Sequence, residues 1–352
     1  MKSRTELFTG TQEVREQHQF EIESLERYML AHVEGFKGPI AVDQFRGGQS
    51  NPTYRLTTPK ARYVLRRKPP GTLLKSAHAV DREYRMLVAL QNSKVPAARP
   101  FALCLDESII GSAFYVMEHV EGRVFWDHLI PEFGNAQRAA LYDHMNEVLA
   151  ELHLLDYESL GLGDFGKPGN YFARQIGRWT KQYRASQTDT IAEMDKLIEW
   201  LPNNIPADES SSIVHGDYRL ENMIIHPTAP RIVAVLDWEL STIGHPLGDL
   251  TYQCTQWRLP HTPLMNGIQG VDRKAYGIPT EEEYIATYCR RTGRRAIENW
   301  DFYMAYNLFR LAAIVQGIVG RIRDGTASSK DASTMSGRVR PMAEMAWAIV
   351  RG

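Results

Sequence analysis

Residues 213–250, IVHGDYRLENMIIHPTAPRIVAVLDWELSTIGHPLGDL, constrain this chain more than any other stretch. The apolar pair Ile213–Val214 runs into His215-Gly216-Asp217, and Asn222 follows Asp217 by five positions. Arg231 to Leu236 is short and rich in β-branched residues, so it reads as a buried strand. It ends on Asp237. Asp217, Asn222 and Asp237 thus sit where apolar segments stop and a polar side chain can face a cleft. The plain alternative is a set of turn-forming Asx residues; the joint spacing and the apolar flanks weigh against it.

The 352 residues leave room for two domains or one two-lobed one. Hydrophobic content of 43% and charged content of 24% place the chain among globular proteins. A net charge of −1 supplies no global field for nucleic acid. Cys104, Cys254 and Cys289 are odd in number and far apart, so they indicate neither a disulfide framework nor a CxxC metal site. The polar start MKSRTELFTGTQEVREQHQFEIE has no apolar signal-like core. No apolar run approaches the roughly 18 residues that a membrane span needs. The expectation is a cytoplasmic protein with no nucleic-acid or membrane partner.

In chain order, apolar periodicity predicts a helix over 10–34, then strands over 40–45, 53–57 and 62–67. Gly47-Gly48-Gln49-Ser50-Asn51 joins the first two strands. Paired glycines let a backbone turn its N–H groups toward an anion, although two glycines between strands are most often only a hairpin. Alternation puts Val64, Arg66 and Lys68 on one face of the third strand and Tyr63, Leu65 and Arg67 on the other. A helix follows over 77–92, carrying Glu83. A hairpin over 109–120 turns at Gly111-Ser112, and its second arm, 113–117, leads through Glu118-His119-Val120 to Glu121-Gly122. There a small β-rich lobe (1–118) gives way to a larger helical one (119–352). Helices are expected over 134–155, 171–201 (one or two), 280–292, 298–324 and 338–350.

This order of glycine hairpin, basic strand, Glu-bearing helix, hinge, HxD…N loop and strand-ending Asp resembles the aminoglycoside phosphotransferase superfamily. GGQSNPTY, YVLRRKPPG, HAVDREYRML, FYVMEHVEGRVF, HGDYRLENMI and VLDWELSTIGHPLGDL are similar to its subgroup associated with acyl-CoA dehydrogenases, over about residues 15–350. The resemblance implies an α+β, two-lobed protein-kinase-like fold, with a small antiparallel β lobe and a larger, mainly helical one. It implies ATP as phosphoryl donor and Mg2+ as cofactor. Asp217 then accepts or orients the proton of the attacking hydroxyl, and Asn222 and Asp237 give the oxygen ligands that Mg2+ requires. Gly47, Gly48, Gln49, Ser50 and Asn51 cover the phosphates, and Arg66 contacts them, paired with Glu83. Main-chain groups from Glu118 to Val120 bind the adenine edge, His215 props the loop, and Asp249 anchors it.

Several residues depart from the protein-kinase pattern. The glycine loop is not GxGxxG, and the strand cation is Arg66 with Lys68 on its face, so either can reach the phosphates. Glu239 is open between metal support and a structural carboxylate. Only 11 residues separate Asp237 from Asp249, which leaves no room for an activation segment and points to a small-molecule acceptor. Residues 253–352 hold 14 Lys/Arg and 9 Asp/Glu, hence 14 − 9 = +5. Arg310, Arg321, Arg323, Lys330, Arg338 and Arg340 are candidates to face an anion, against the plain view that they solvate helices. The expected acceptor is an anionic hydroxyacyl-CoA such as a 4-hydroxyacyl-CoA. The alternatives are another small alcohol (aminoglycoside, choline-like or amino alcohol), or a silent nucleotide-binding partner of an acyl-CoA dehydrogenase. A hydrolase would want GxSxG or HExxH, and neither occurs.

Overall fold

The computed structural model describes residues 9–46, 51–69, 79–325 and 332–351. The first elements among them are β1 (Thr11–Gln12), α1 (Ile22–His32), β2 (Ala41–Phe45), β3 (Thr53–Thr57), β4 (Arg62–Arg67), α2 (Val80–Leu90), β5 (Pro100–Cys104) and β6 (Phe114–Glu118). The six strands form one sheet, β1-β2-β3-β4-β6-β5, with every neighbouring pair antiparallel. Alternation sorts β4 as the sequence predicts. Tyr63 and Leu65 enter a core with Leu25 and Met29 of α1, Tyr54 and Leu56 of β3, and Phe114 and Val116 of β6. Arg66 points to the other face, toward Glu83 of α2. Burying a side chain of Leu size contributes about 1.5–3 kcal/mol. A one-residue slip of β4 would exchange Leu65 for Arg66 in that core, so the register is strongly specified.

Two expectations fail in this region. The segment 10–34 is not one helix: Thr11–Gln12 pairs with Gln44–Phe45, and the helix begins only at Ile22. Polar tethers explain the delay, since Arg15 N and His18 Nδ1 both bond the Gln44 side chain, and Tyr54 Oη donates to His18 O at 2.9 Å. The 109–120 hairpin is also wrong. Ile110 is a buried plug in a turn, and β6 lies between β4 and β5, with Leu65 of β4 opposite Val116 and Leu103 of β5 opposite Tyr115. An apolar plug and an apolar strand arm look alike in sequence.

The later elements are α3 (Asn135–Leu154), α4 (Tyr171–Ser186), α5 (Ala192–Trp200), β7 (Ser212–Val214), β8 (Met223–Ile225), β9 (Ile232–Val235), β10 (Thr242–Gly244), α6 (Leu247–Arg258), α7 (Arg273–Tyr276), α8 (Glu281–Thr292), α9 (Trp300–Arg323) and α10 (Ala332–Val350). The start of α8 is written in its sequence: Thr280 accepts from Glu283 N, and the Glu283 carboxylate accepts from Thr280 N, a capping box. By contacts the chain divides into two units. One comprises Met1–Trp126, Glu158–Leu162 and Leu220–Ser241; the other comprises Asp127–Tyr157, Gly163–Arg219 and Thr242–Gly352. A cut between 118 and 119 is a single break, whereas contacts return 220–241, with Asn222 and Asp237, to the first unit.

In the second unit β7 pairs antiparallel with β10, and helices supply most of the core. Helix α9 is long and apolar enough to cross a membrane, which the sequence reading did not anticipate. However, 83% of its most apolar window is buried inside the protein, as in a core helix.

Candidate active site

In the first unit, β8 and β9 form a two-stranded ladder with Met223 opposite Val235. One step beyond, Leu236 N donates to Asn222 O at 2.8 Å. That bond brings Asn222 and Asp237, 15 residues apart in sequence, to the same end of the ladder. Asp237 has φ 66° and ψ 58°, a left-handed conformation that costs a non-glycine residue about 1–2 kcal/mol. Strain of this kind persists where the surroundings enforce it, often at functional sites.

The strand cation reaches the same place. Arg66 Nη2 lies 2.6 Å from Asp237 Oδ1 and 3.4 Å from Glu239 Oε2, and Arg66 Nε lies 2.8 Å from Glu83 Oε2. Arg66 and Glu83 are 7% and 1% exposed, so this is a buried pair. Burial works against the charge on Arg66, but the carboxylates of Glu83 and Asp237 outweigh it and raise the pKa. Glu83 is further held by Asn51 Nδ2 at 2.8 Å and Tyr115 Oη at 3.1 Å. The Asn51 side chain, expected to cover phosphates, is thus turned inward onto Glu83. Gly47, Gly48, Gln49 and Ser50 lie outside the described residues. At the hinge, Glu118 N donates to Arg99 O, so that N–H is committed to the sheet edge. Val120 follows as half-buried chain outside any strand.

Asn222, Asp237 and Glu239 offer only oxygen donors, the chemistry that hard Mg2+ selects. No group of three or more His, Cys, Asp or Glu among the described residues is placed to hold a metal. A Mg2+ ion here would complete its shell with ligand and water oxygens, as it usually does. The donor set therefore fits the ion.

The second unit carries Asp217 on the turn after β7. Asp249, at the start of α6, accepts from His215 N and from Gly216 N, the latter at 2.8 Å. Burial alone would raise the Asp249 pKa; His153, His215 and the Gly216 N–H overcome it and hold the carboxyl below its usual range. His215 Nδ1 accepts from Asp217 N at 3.1 Å, so the imidazole braces the turn from inside. Asp217 Oδ1 accepts from Tyr252 Oη and lies 3.5 Å from Arg219 Nε. Arg310, which the sequence offers as an anion contact, is 3% exposed and donates to the Gly216 carbonyl instead. Of the other candidate cations, Arg323 pairs with its neighbour Asp324 at 2.8 Å and Arg340 donates to Thr190 O, while Lys330 lies outside the described residues. Tyr115, Tyr252 and the loop-bracing role of Arg310 escape the sequence, because no local spacing links them to Glu83, Asp217 or Gly216.

A six-stranded sheet with an Arg–Glu–Asp ion cluster beside it, and a helical unit with an anchored HGD turn, define an α+β, protein-kinase-like phosphotransferase fold. Residues 41–305 match the model of the phosphotransferase enzyme family, APH, and the chain belongs to that family. It is similar to a crystallised protein from Ralstonia eutropha JMP134, whose naming as an aminoglycoside phosphotransferase is provisional. The identity is 52% and the TM-score 0.87, over 95% of this chain and 99% of that one. Acyl-CoA dehydrogenase family member 11 of Rattus norvegicus is 46% identical over 341 residues, 95% of this chain and 44% of that protein. Acyl-CoA dehydrogenase family member 10 of Mus musculus is 44% identical over 340 residues, 96% of this chain and 32% of that protein. The chain thus spans less than half the length of these curated relatives. A thermostable mutant of aminoglycoside phosphotransferase APH(4)-Ia shares the fold at TM-score 0.60 and 16% identity, over 92% of this chain and 98% of that one.

Proposed function

We propose that this chain transfers the γ-phosphoryl group of ATP to a hydroxyl of a small molecule, with Mg2+ as cofactor. The observation that carries the reading is the end of the β8–β9 ladder, which carries both Asn222 and Asp237, with Arg66 on Asp237. Phosphoryl transfer asks a protein for positioning and charge neutralisation more than for covalent help. Asp217 accepts the proton of the attacking hydroxyl as its oxygen bonds the γ-phosphorus and the bond to the β–γ bridging oxygen breaks, releasing ADP. Arg66, set by Glu83, contributes a fixed positive charge for the phosphates. Asn222 and Asp237 would hold Mg2+, which would neutralise phosphate charge. A fold neighbour, the APH(4)-Ia N203A mutant at TM-score 0.58, was crystallised with AMP-PNP and hygromycin B, which supports a nucleotide donor.

For the acceptor, the reading is a hydroxyacyl-CoA phosphorylated on its hydroxyl, at C4, which prepares it for elimination. Two relatives 44–46% identical are acyl-CoA dehydrogenase family members, which supports a link to acyl-CoA metabolism. The +5 excess after residue 252 adds less than its count, since Arg310 is buried and Arg323 is paired. The purified chain, Mg2+ and labelled ATP should be offered 4-hydroxyacyl-CoAs beside a panel of aminoglycosides, choline and amino alcohols. Label on the acyl-CoA supports the reading. Label only on another alcohol overturns the acceptor and keeps the kinase; no transfer to any acceptor favours a silent nucleotide-binding partner.

A further inference from the structure

Helix α6 carries a residue that no motif marks. Tyr252 stands three positions after Asp249, and its hydroxyl donates to Asp217 Oδ1. Its ring is backed by Arg310, whose guanidinium carbon lies 4.9 Å from the Tyr252 centroid and 5.6 Å from that of Trp179. The same Arg310 donates to the carbonyl of Gly216, the residue before Asp217. One buried cation thus backs the phenol and ties down the turn that the phenol reaches.

We infer that Tyr252 is a positioning residue for Asp217, fixing the carboxylate orientation in which it takes the proton of the acceptor. This rests on the base role proposed for Asp217. A hydroxyl buried without a partner costs free energy, so if only ring packing mattered at this site, phenylalanine would serve as well. With its partner, the phenol makes a charge-assisted O–H···O− bond, among the stronger protein hydrogen bonds. Burial, then the neighbouring Asp217 charge, raises the phenol pKa, so Tyr252 stays a donor at neutral pH. Arg219 lies 3.5 Å from the same oxygen but is 44% exposed in its side chain, so it holds that oxygen less firmly.

The test needs no identified acceptor, because water can take the phosphoryl group. Phosphate release from Mg-ATP is measured for wild type, Tyr252→Phe, Asp217→Asn and the double variant. Tyr252→Phe should lower kcat by about 10–100-fold, the range a lost bond to a charged group supports, with the KM for ATP within about twofold. In the Asp217→Asn background the same change should cost nothing further, because the two residues act as one unit. A kcat within twofold of wild type, a loss that multiplies with that of Asp217→Asn, or a change in KM alone overturns the proposal. The crystal structure of Tyr252→Phe gives a readout without turnover: the Asp217 carboxylate should leave its wild-type rotamer, and an unmoved carboxylate is equally fatal. If Asp217→Asn itself turns over at the wild-type rate, the base assignment fails, whatever Tyr252 does.

Discussion

Arg66 Nη2 rests 2.6 Å from Asp237 Oδ1, joining residues 171 positions apart in the chain. Through Nε the same guanidinium serves Glu83, and Glu239 Oε2 lies 3.4 Å from Nη2, so one cation answers three carboxylates. Removing one partner of a buried pair costs about 3–5 kcal/mol, because the other charge is left uncompensated. Arg66→Met should therefore lower the melting temperature by several degrees in a thermal scan. Arg66→Met with Glu83→Gln should recover much of the loss. A single variant as stable as wild type would remove the pair from the supports of the fold.

Asp217→Ala should reduce phosphoryl transfer by at least about 100-fold, within the range of a general base. Binding of Mg-ATP, measured by calorimetry, should hold within a few-fold, since Asn222, Asp237 and Arg66 are untouched. Full activity in the variant would strip Asp217 of the base role.

Asp249→Asn should be destabilising, because the charged acceptor for His215 N and Gly216 N is lost. Bonds of this kind contribute about 1.5–3 kcal/mol each. Asp249 has a depressed pKa in the folded state, so its contribution is present above the unfolded value of 3.8 and fades as pH falls through the folded one. Urea unfolding at a series of pH values should show wild type and variant well apart at pH 7 and converging in strong acid. Parallel curves would contradict the linkage.

His245 sets a second pH window. It is 2% exposed, next to Asp208 at 3.3 Å, with Arg294 on the same carboxylate. Burial lowers its pKa from 6.5 to about 4, against the pull of Asp208. Below pH 6.5 the unfolded chain takes up a proton that the folded chain refuses, so stability should decline from pH 6.5 to about 4 and be indifferent to this group above 6.5. The ceiling is about 3 kcal/mol at 1.36 kcal/mol per pKa unit. Melting temperatures of His245→Gln should lack this part of the decline; an identical slope would assign it elsewhere.

What was legible in the sequence follows from what is local in the fold. The alternation of β4 and the strand ending on Asp237 each depend on residues near one another, so periodicity and spacing exposed them. The β7–β10 pairing, Tyr115 on Glu83, and Tyr252 and Arg310 around the Asp217 turn join residues 28 to 94 positions apart. No local pattern encodes such contacts. Arg310 misled for a related reason: an arginine in an apolar helix looks the same in sequence whether it greets an anion or a buried carbonyl. The delayed start of α1 was hidden because Gln44, which tethers the preceding segment, lies far ahead of it in the chain.

Arg66 is synthesised with the polypeptide, so Asp237 and Glu239 have a counter-ion before any small molecule arrives. Small domains whose fold depends on a bound metal unfold in chelators; this one should not. EDTA should leave the melting temperature unchanged, whereas saturating Mg-ATP should raise it by mass action. The unloaded fold then stands on its own internal ion pairs, and a bound nucleotide should add to its stability rather than create it.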